Sequence, residues 1–307
     1  MFRYVLKRLL AVIPTLILIS IFVFSFVRLI PGDPARRVAG VDATLEDIEM
    51  IRESLGLNKP VLEQYKDYML GLLRGDLGTS LKTKRPVTYE IGLRYMNTVR
   101  LTLASLFWSV IIGVLIGVFS GKNRSKIQDY AGMTFAVSGI SIPSFWLGLI
   151  LIQLFAVKLR WFPTIGADHG WRSLILPSLT LGASVAAIIA RFTRSSIIGI
   201  LKEDYVRTAR AKGLKENKII WKHVFRNSMI AVVTVVGLQF GFLLSGSVVT
   251  ESVFAYPGLG SLLIDSVGFR DYPTLQSLIL IFSLHFVLIN LFVDLIYAAL
   301  NPEIKLK

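Results

Sequence analysis

Six stretches of this chain, at about 9–30, 99–120, 131–157, 174–193, 229–250 and 276–299, are each apolar on every side. Each has roughly the 20 residues that a helix needs to cross a hydrocarbon core about 30 Å thick. A helix half-buried in a soluble core carries a polar stripe at 3.6-residue spacing; these blocks carry none. Strands of a membrane barrel alternate and stay short, so a barrel is excluded. The pattern predicts an all-α membrane protein of six transmembrane helices, although 307 residues would otherwise suggest two soluble domains. The N-terminus, "MFRYVLKRLLAVIPTLILISIFVFSFVRL", starts with basic residues as a signal peptide does. Its apolar region is too long and no small-residue cleavage site follows, so it reads as a retained first span.

Charge orients the spans. The net charge is +14, and it is concentrated in alternate segments: the N-terminal stub, the turn near 121–129, the loop 194–228 and the C-terminus. Loop 194–228 alone holds nine Lys or Arg against three acids, whereas 158–173 and 251–275 together hold four basic residues. By the positive-inside rule both termini are cytoplasmic. A bias that follows topology so closely is no argument for nucleic-acid binding. Three divisions follow: 1–30 as stub and first span, 31–98 as an extracytoplasmic helical loop, and 99–307 as a core of five further spans with the loop 194–228.

The 31–98 loop has structure of its own. In "TLEDIEMIRESLG" Thr44 is an N-cap with Asp47 three residues on, Leu45, Ile48, Ile51 and Leu55 share a face, and Gly56 is a stop. "PVLEQYKDYMLGLL" predicts a second amphipathic helix with Leu62, Tyr65, Met69 and Leu72 aligned, and a third helix starts at Pro86 and runs into the second span. Such a lobe serves as a lid on the membrane surface, a docking surface for an extracytoplasmic partner, or both. In the second span Gly113, Gly117 and Gly121 recur every four residues, a spacing that lets helix backbones approach in lipid. Gln239, Gly241 and Ser245 of the fifth span are candidates to line a path, with helix packing as the plainer reading.

Several chemistries are missing. "GVFSGKN" fails as a phosphate loop, because Ile116 stands where a glycine is needed and Asn123 where a hydroxyl is needed. The chain has no cysteine, and its three histidines, His169, His223 and His285, are too dispersed for metal-ligand spacing. No catalytic residue, metal site or cofactor is assigned. His285, inside the sixth span, reads as a hydrogen-bonded packing residue or as a path lining. Carboxylates are nearly absent from the spans, Asp294 near one end being the exception. Ion-coupled carriers hold such charges at midplane. A carrier of this composition needs energy from outside itself.

"EDYVRTARAKGLKENK", from Glu203 to Lys218, is suited to receive it. Acids open a short helix at its positive end, Tyr205 and Ala209 share a small face flanked by Thr208, Arg207 stands beside it, and Gly213 ends the helix as a C′ glycine does. A solvated basic loop placed by orientation alone is the competing reading. A second short helix, "ENKIIWKHVFRNS", leads back to the membrane.

The stretch resembles the coupling loop of ABC-importer permeases, whose pattern is Glu-Ala-Ala, three residues, Gly, nine residues, Ile-x-Leu-Pro. Aligned on Gly213, that pattern falls on Arg207, Thr208 and Ala209, then on His223, Val224, Phe225 and Arg226; only Ala209 and Gly213 match. The departures are similar to the peptide and nickel branch, as are "PGDPA", "GDLGTS", "GISIPSFWLG", "ILPSLTLG", "ESVFAYPGLG", "RDYP" and "NPEIK" across nearly the whole chain. "PTIGAD" and "LQFGFLLSGS" lean towards the dipeptide and glutathione permeases. The resemblance implies the type I importer permease fold in a bacterial cytoplasmic membrane. It implies a second homologous permease, two cytosolic ATP-binding subunits using ATP and Mg, an extracytoplasmic solute-binding protein, and short peptides as cargo. Tyr205, Arg207, Thr208, Ala209 and Gly213 would contact the ATPase, and a loop with Tyr256, Pro257 and Gly258 would face the binding protein. Nickel chelates stay open as cargo, as does a stand-alone transporter or channel.

Overall fold

Long apolar sequence leaves the backbone only its own carbonyls to bond with, and helices dominate accordingly. The structure, a computed structural model, describes residues 2–29, 33–40 and 43–300, without the side chains of 2–9, 27, 37, 245, 294 and 296–300. In chain order the helices are α1 (Phe2–Leu29), α2 (Pro34–Ala39), α3 (Leu45–Ser54), α4 (Val61–Leu73), α5 (Val87–Lys122), α6 (Ile127–Ser141), α7 (Ser144–Leu151), α8 (Arg172–Ile200), α9 (Asp204–Ala211), α10 (Glu216–Lys218), α11 (Arg226–Val253), α12 (Leu259–Phe269) and α13 (Tyr272–Leu300). A π-helical stretch, Ile152–Lys158, extends α7, and another, Ile219–Phe225, joins α10 to α11. The predicted second short helix is therefore the widened root of α11.

Among the described residues four helical stretches are long and apolar enough to cross a bilayer: Val87–Lys122, Arg172–Ile200, Glu216–Leu244 and Tyr272–Val293. The third apolar block, one span by hydropathy, is two helices bent by 103° between α6 and α7. Pro143 is the reason: the residue before a proline is pushed out of the α region, and Ile142 sits at φ −89, ψ 123. Counting that pair as one raises the number to five, and α1 adds the shorter apolar stretch Leu10–Phe26.

The bundle is held by α5 against α8. A methyl at Gly113 would lie 2.7 Å from the Ala186 carbonyl oxygen, and one at Gly121 would lie 2.9 Å from Ile197 Cγ2. Ser109 donates to the Gly182 carbonyl at 2.8 Å, sealing the same seam. The four-residue glycine spacing thus marks a close helix contact, as its sequence implies.

In the lobe, Thr44 and Asp47 form the expected capping box. Gly56, at φ 66, closes α3 with Leu57 N–H bonded to Arg52 and Gly56 N–H to Glu53, the paired bonds of a Schellman stop. The predicted apolar stripes are only partly realised: Leu45 is 86% exposed and Leu62 83%. What seats α4 instead is aromatic. Tyr65 meets Phe24 of α1 edge-on at 5.1 Å and shares a 2.8 Å hydrogen bond with Ser20. As expected, α5 starts after Pro86 and runs through residue 98 without a break.

Candidate functional site

One end of the bundle carries the turn after Lys122 and the hairpin of α9 and α10, joined where Lys122 Nζ donates to Asn217 at 3.0 Å. At this basic end α9 is short because its sequence stops it. Gly213 sits at φ 77, with Leu214 N–H bonded to the Ala209 carbonyl and Gly213 N–H to that of Arg210. Arg210 grips Glu216 through two bonds of 3.1 and 2.7 Å, pinning the hairpin shut.

The two faces of α9 differ. Val206 is fully buried and Ala209 is 8% exposed, both packed with Val118 of α5, Ile197 of α8, Ile219 and Val224. Tyr205, Arg207 and Thr208 are exposed. Tyr205 accepts a 2.9 Å bond from Asn227, and Arg207 pairs with Asp204 at 3.2 Å. The single small face predicted for Tyr205 and Ala209 is therefore divided. Ala209 turns inward because the Val206 face is the one that removes apolar surface from water, which leaves Tyr205 at the rim.

The path candidates separate in the same way. Gly241 is buried against α13, where an added methyl would meet Phe286 at 3.3 Å; in this chain it is a packing position. Gln239 is half-buried on α11. Ser245 falls among the residues whose side chains are not described, as does Asp294. His285 joins helices: Nδ1 donates to the Ile281 carbonyl at 2.7 Å, and Nε2 shares a 2.6 Å hydrogen bond with the Tyr95 hydroxyl.

At the opposite end, Pro257 is exposed, but Tyr256 is 2% exposed and Gly258 is buried. The tyrosine of the predicted surface turn is a core residue. Beneath the turn lies Glu251, which is fully buried, its carboxylate accepting from the Thr98 hydroxyl at 2.7 Å and the Ser261 N–H at 3.0 Å. Thr98 in turn accepts from Leu259 N–H at 2.7 Å. Gly258 has no room for a side chain over this carboxylate. Nearby, Asp271 ties "GDLGTS" to "RDYP": it accepts from Ser80, from Leu81 N–H at 3.0 Å and from Thr274 at 2.9 Å. Sequence reasoning missed both acids, and also Asp129, which is 1% exposed and clasped by Arg194 at 2.6 and 2.7 Å. Each lies just outside or at the edge of an apolar block, where a carboxylate looks solvated until the tertiary contacts are known.

Long apolar helices zipped through small residues, with buried acids spent on fastening elements at the two ends, make this a multi-pass helical membrane protein. Residues 113–306 match the family described as binding-protein-dependent transport system inner membrane component, and residues 1–102 match its N-terminal counterpart. The chain belongs to that family, the permeases of ABC importers. It is 56% identical over 307 residues, all of both chains, to the glutathione transport system permease protein GsiC of Pectobacterium atrosepticum. The GsiC of an Escherichia coli O6:H1 strain is 55% identical over the same full length. Among solved structures, a chain of the MetNI methionine ABC transporter superposes with a TM-score of 0.59 at 20% identity, over 70% of this chain and 97% of the other. An amino acid ABC transporter gives 0.55 at 17%, over 69% and 94%. These two show the shared fold.

Proposed function

We propose that this chain is the permease subunit of an ATP-driven importer of glutathione or closely related short peptides, and that α9 is where ATPase motion enters. Full-length identity above one half to glutathione permeases supports the cargo. What supports the coupling role is the division of α9: an exposed rim of Tyr205, Arg207 and Thr208 available to a partner, and an inner face of Val206 and Ala209 rooted against α5 and α8. A push on the rim then moves the helices that form the main seam of the bundle. Gly213 ends the lever.

In this reading residues 1–30, 31–98 and 99–307 are first span, extracytoplasmic lobe and permease core, the last including the coupling loop 194–228. α1, the α6–α7 pair and the four long stretches make six spans. The basic end and both termini face the cytoplasm of a bacterium. The partners are a second permease, two cytosolic subunits that bind ATP and Mg, and a solute-binding protein that docks over the Pro257 turn. This chain contributes no ATP site of its own.

The experiment is uptake of radiolabelled glutathione by proteoliposomes holding the complete importer with ATP inside. Arg207→Glu reverses charge on the rim without touching the buried face, so uptake should fall at least about tenfold, a loss of roughly 1.4 kcal/mol of coupling. Assembly of the complex with its binding protein should be unchanged. Uptake at the unmodified rate would reject the assignment of α9.

A further inference from the structure

An open groove of about 490 Å³ runs between α5, Gly132 of α6 and the π-helical root of α11. Leu115, Ile116 and Phe119 line one wall and Ile220 and Trp221 the other, with Lys122 at the mouth. Leu115 to Lys122 covers about two turns of α5, roughly 10 Å of apolar trough. Three of its lining residues are uncovered in this chain, Leu115 at 58% exposed, Phe119 at 53% and Trp221 at 55%, while Ile220 is buried. Apolar surface of that kind, closed at one end by a cation and carrying a tryptophan at the polar boundary, suits the membrane interface.

Charge identifies the occupant. Lys122 uses one donor on Asn217 and has two more to offer. Arg124 and Lys126 follow it on the turn, and Lys218 and Lys222 lie within a turn of Trp221; all four are exposed. Glu216 lies within Coulombic reach of Lys122 but is neutralised by Arg210 at 2.7 Å, and Asp129 is held by Arg194 at 2.6 Å. A protein partner fits less well, because interface cores are depleted in lysine.

We propose that this groove binds one anionic phospholipid of the bilayer, an acyl chain lying against Phe119 and Trp221 and the phosphate held at Lys122 with Lys218 and Lys222 around it. The headgroup then sits beside the Lys122–Asn217 link and braces the hairpin that carries α9. This goes beyond the transport reading and does not depend on it.

Brominated phospholipids quench tryptophan on contact, and they test the site in the purified full chain in mixed detergent micelles. The chain has five tryptophans, so the Trp221 signal is the difference between the native protein and Trp221→Phe. Half-maximal quenching of Trp221 should need about tenfold less brominated phosphatidylglycerol than brominated phosphatidylcholine. The combined K122Q, K218Q and K222Q variant should bring the two curves together while quenching of the other tryptophans stays as it was. The milder Lys122→Arg should keep the preference. Equal quenching of native Trp221 by both lipids would reduce the groove to ordinary bilayer contact and overturn the proposal. So would absence of quenching by either lipid, which would mean that no phospholipid reaches the groove, or a preference that survives the triple variant. Should the triple variant not fold, the comparison on the native protein decides alone.

Discussion

A methyl group added at Gly117 would lie 2.5 Å from Thr193 Cβ and 2.6 Å from the Ala190 carbonyl oxygen. Backbone and a β-branched side chain cannot yield as a long flexible chain does, so α5 and α8 would have to separate. Gly117→Val should therefore cost about 1–3 kcal/mol, the usual range for overpacking. Gly199→Ala, where nothing lies within 4 Å of the new carbon, should be neutral or slightly stabilising, since glycine weakens a helix interior by about 0.5–1 kcal/mol. Thermal unfolding of the purified chain in detergent separates the two, and equal midpoints would count against the seam. At this scale the sequence announced a close contact through glycine spacing but could not name the partner helix. It misjudged Tyr256 and Ala209 because a turn tyrosine and a loop alanine look exposed until something packs over them.

Among the elements, the α2–α4 lobe is fastened by charge as much as by burial. Partial burial pushes the Asp33 carboxyl up, but hydrogen bonds from Arg52 and the Ala35 N–H outweigh it and hold the group below its ordinary value. Lys59 lowers Asp67 by a hydrogen bond, and the Thr44 hydroxyl and N–H lower Asp47. Carboxylates depressed on folding contribute stability that is complete above their unfolded value, about 4, and is lost as pH falls through the lowered folded values. Hydrogen exchange, corrected for its intrinsic pH dependence, should show α3 and α4 losing protection below about pH 4, with the α5–α8 seam keeping its own. Unchanged lobe protection at about pH 3 would contradict this. The caps of α3 and the stop at Gly56 were legible because they are local chemistry. The exposure of Leu45 and Leu62 was not, because an amphipathic stripe says only that some surface must cover it.

For the whole molecule the decisive joints are buried carboxylates far apart in sequence. Glu251 of α11 receives Thr98 of α5 and the first turn of α12, so one side chain holds three elements in register. Every described partner is a donor. Glu251→Gln would turn an amide N–H₂ towards another donor, and a buried unmet group costs about 1–3 kcal/mol. A lowered unfolding midpoint in detergent is the expected result; an unchanged one would show that the junction tolerates a neutral amide. Asp271 does the same for the loop at Ser80 and the start of α13.

Hydropathy, charge asymmetry and local caps were sufficient to determine a helical membrane protein, its basic end and the hairpin closed by Gly213. Each depends on neighbours along the chain, and lipid imposes helix on any long apolar run. The tertiary structure alone decided that Val206 and Ala209 face inward, and that Glu251, Asp271 and Asp129 are structural joints. Those outcomes depend on which surfaces meet across the bundle, and the three acids meet partners 65, 153 and 191 positions away along the chain.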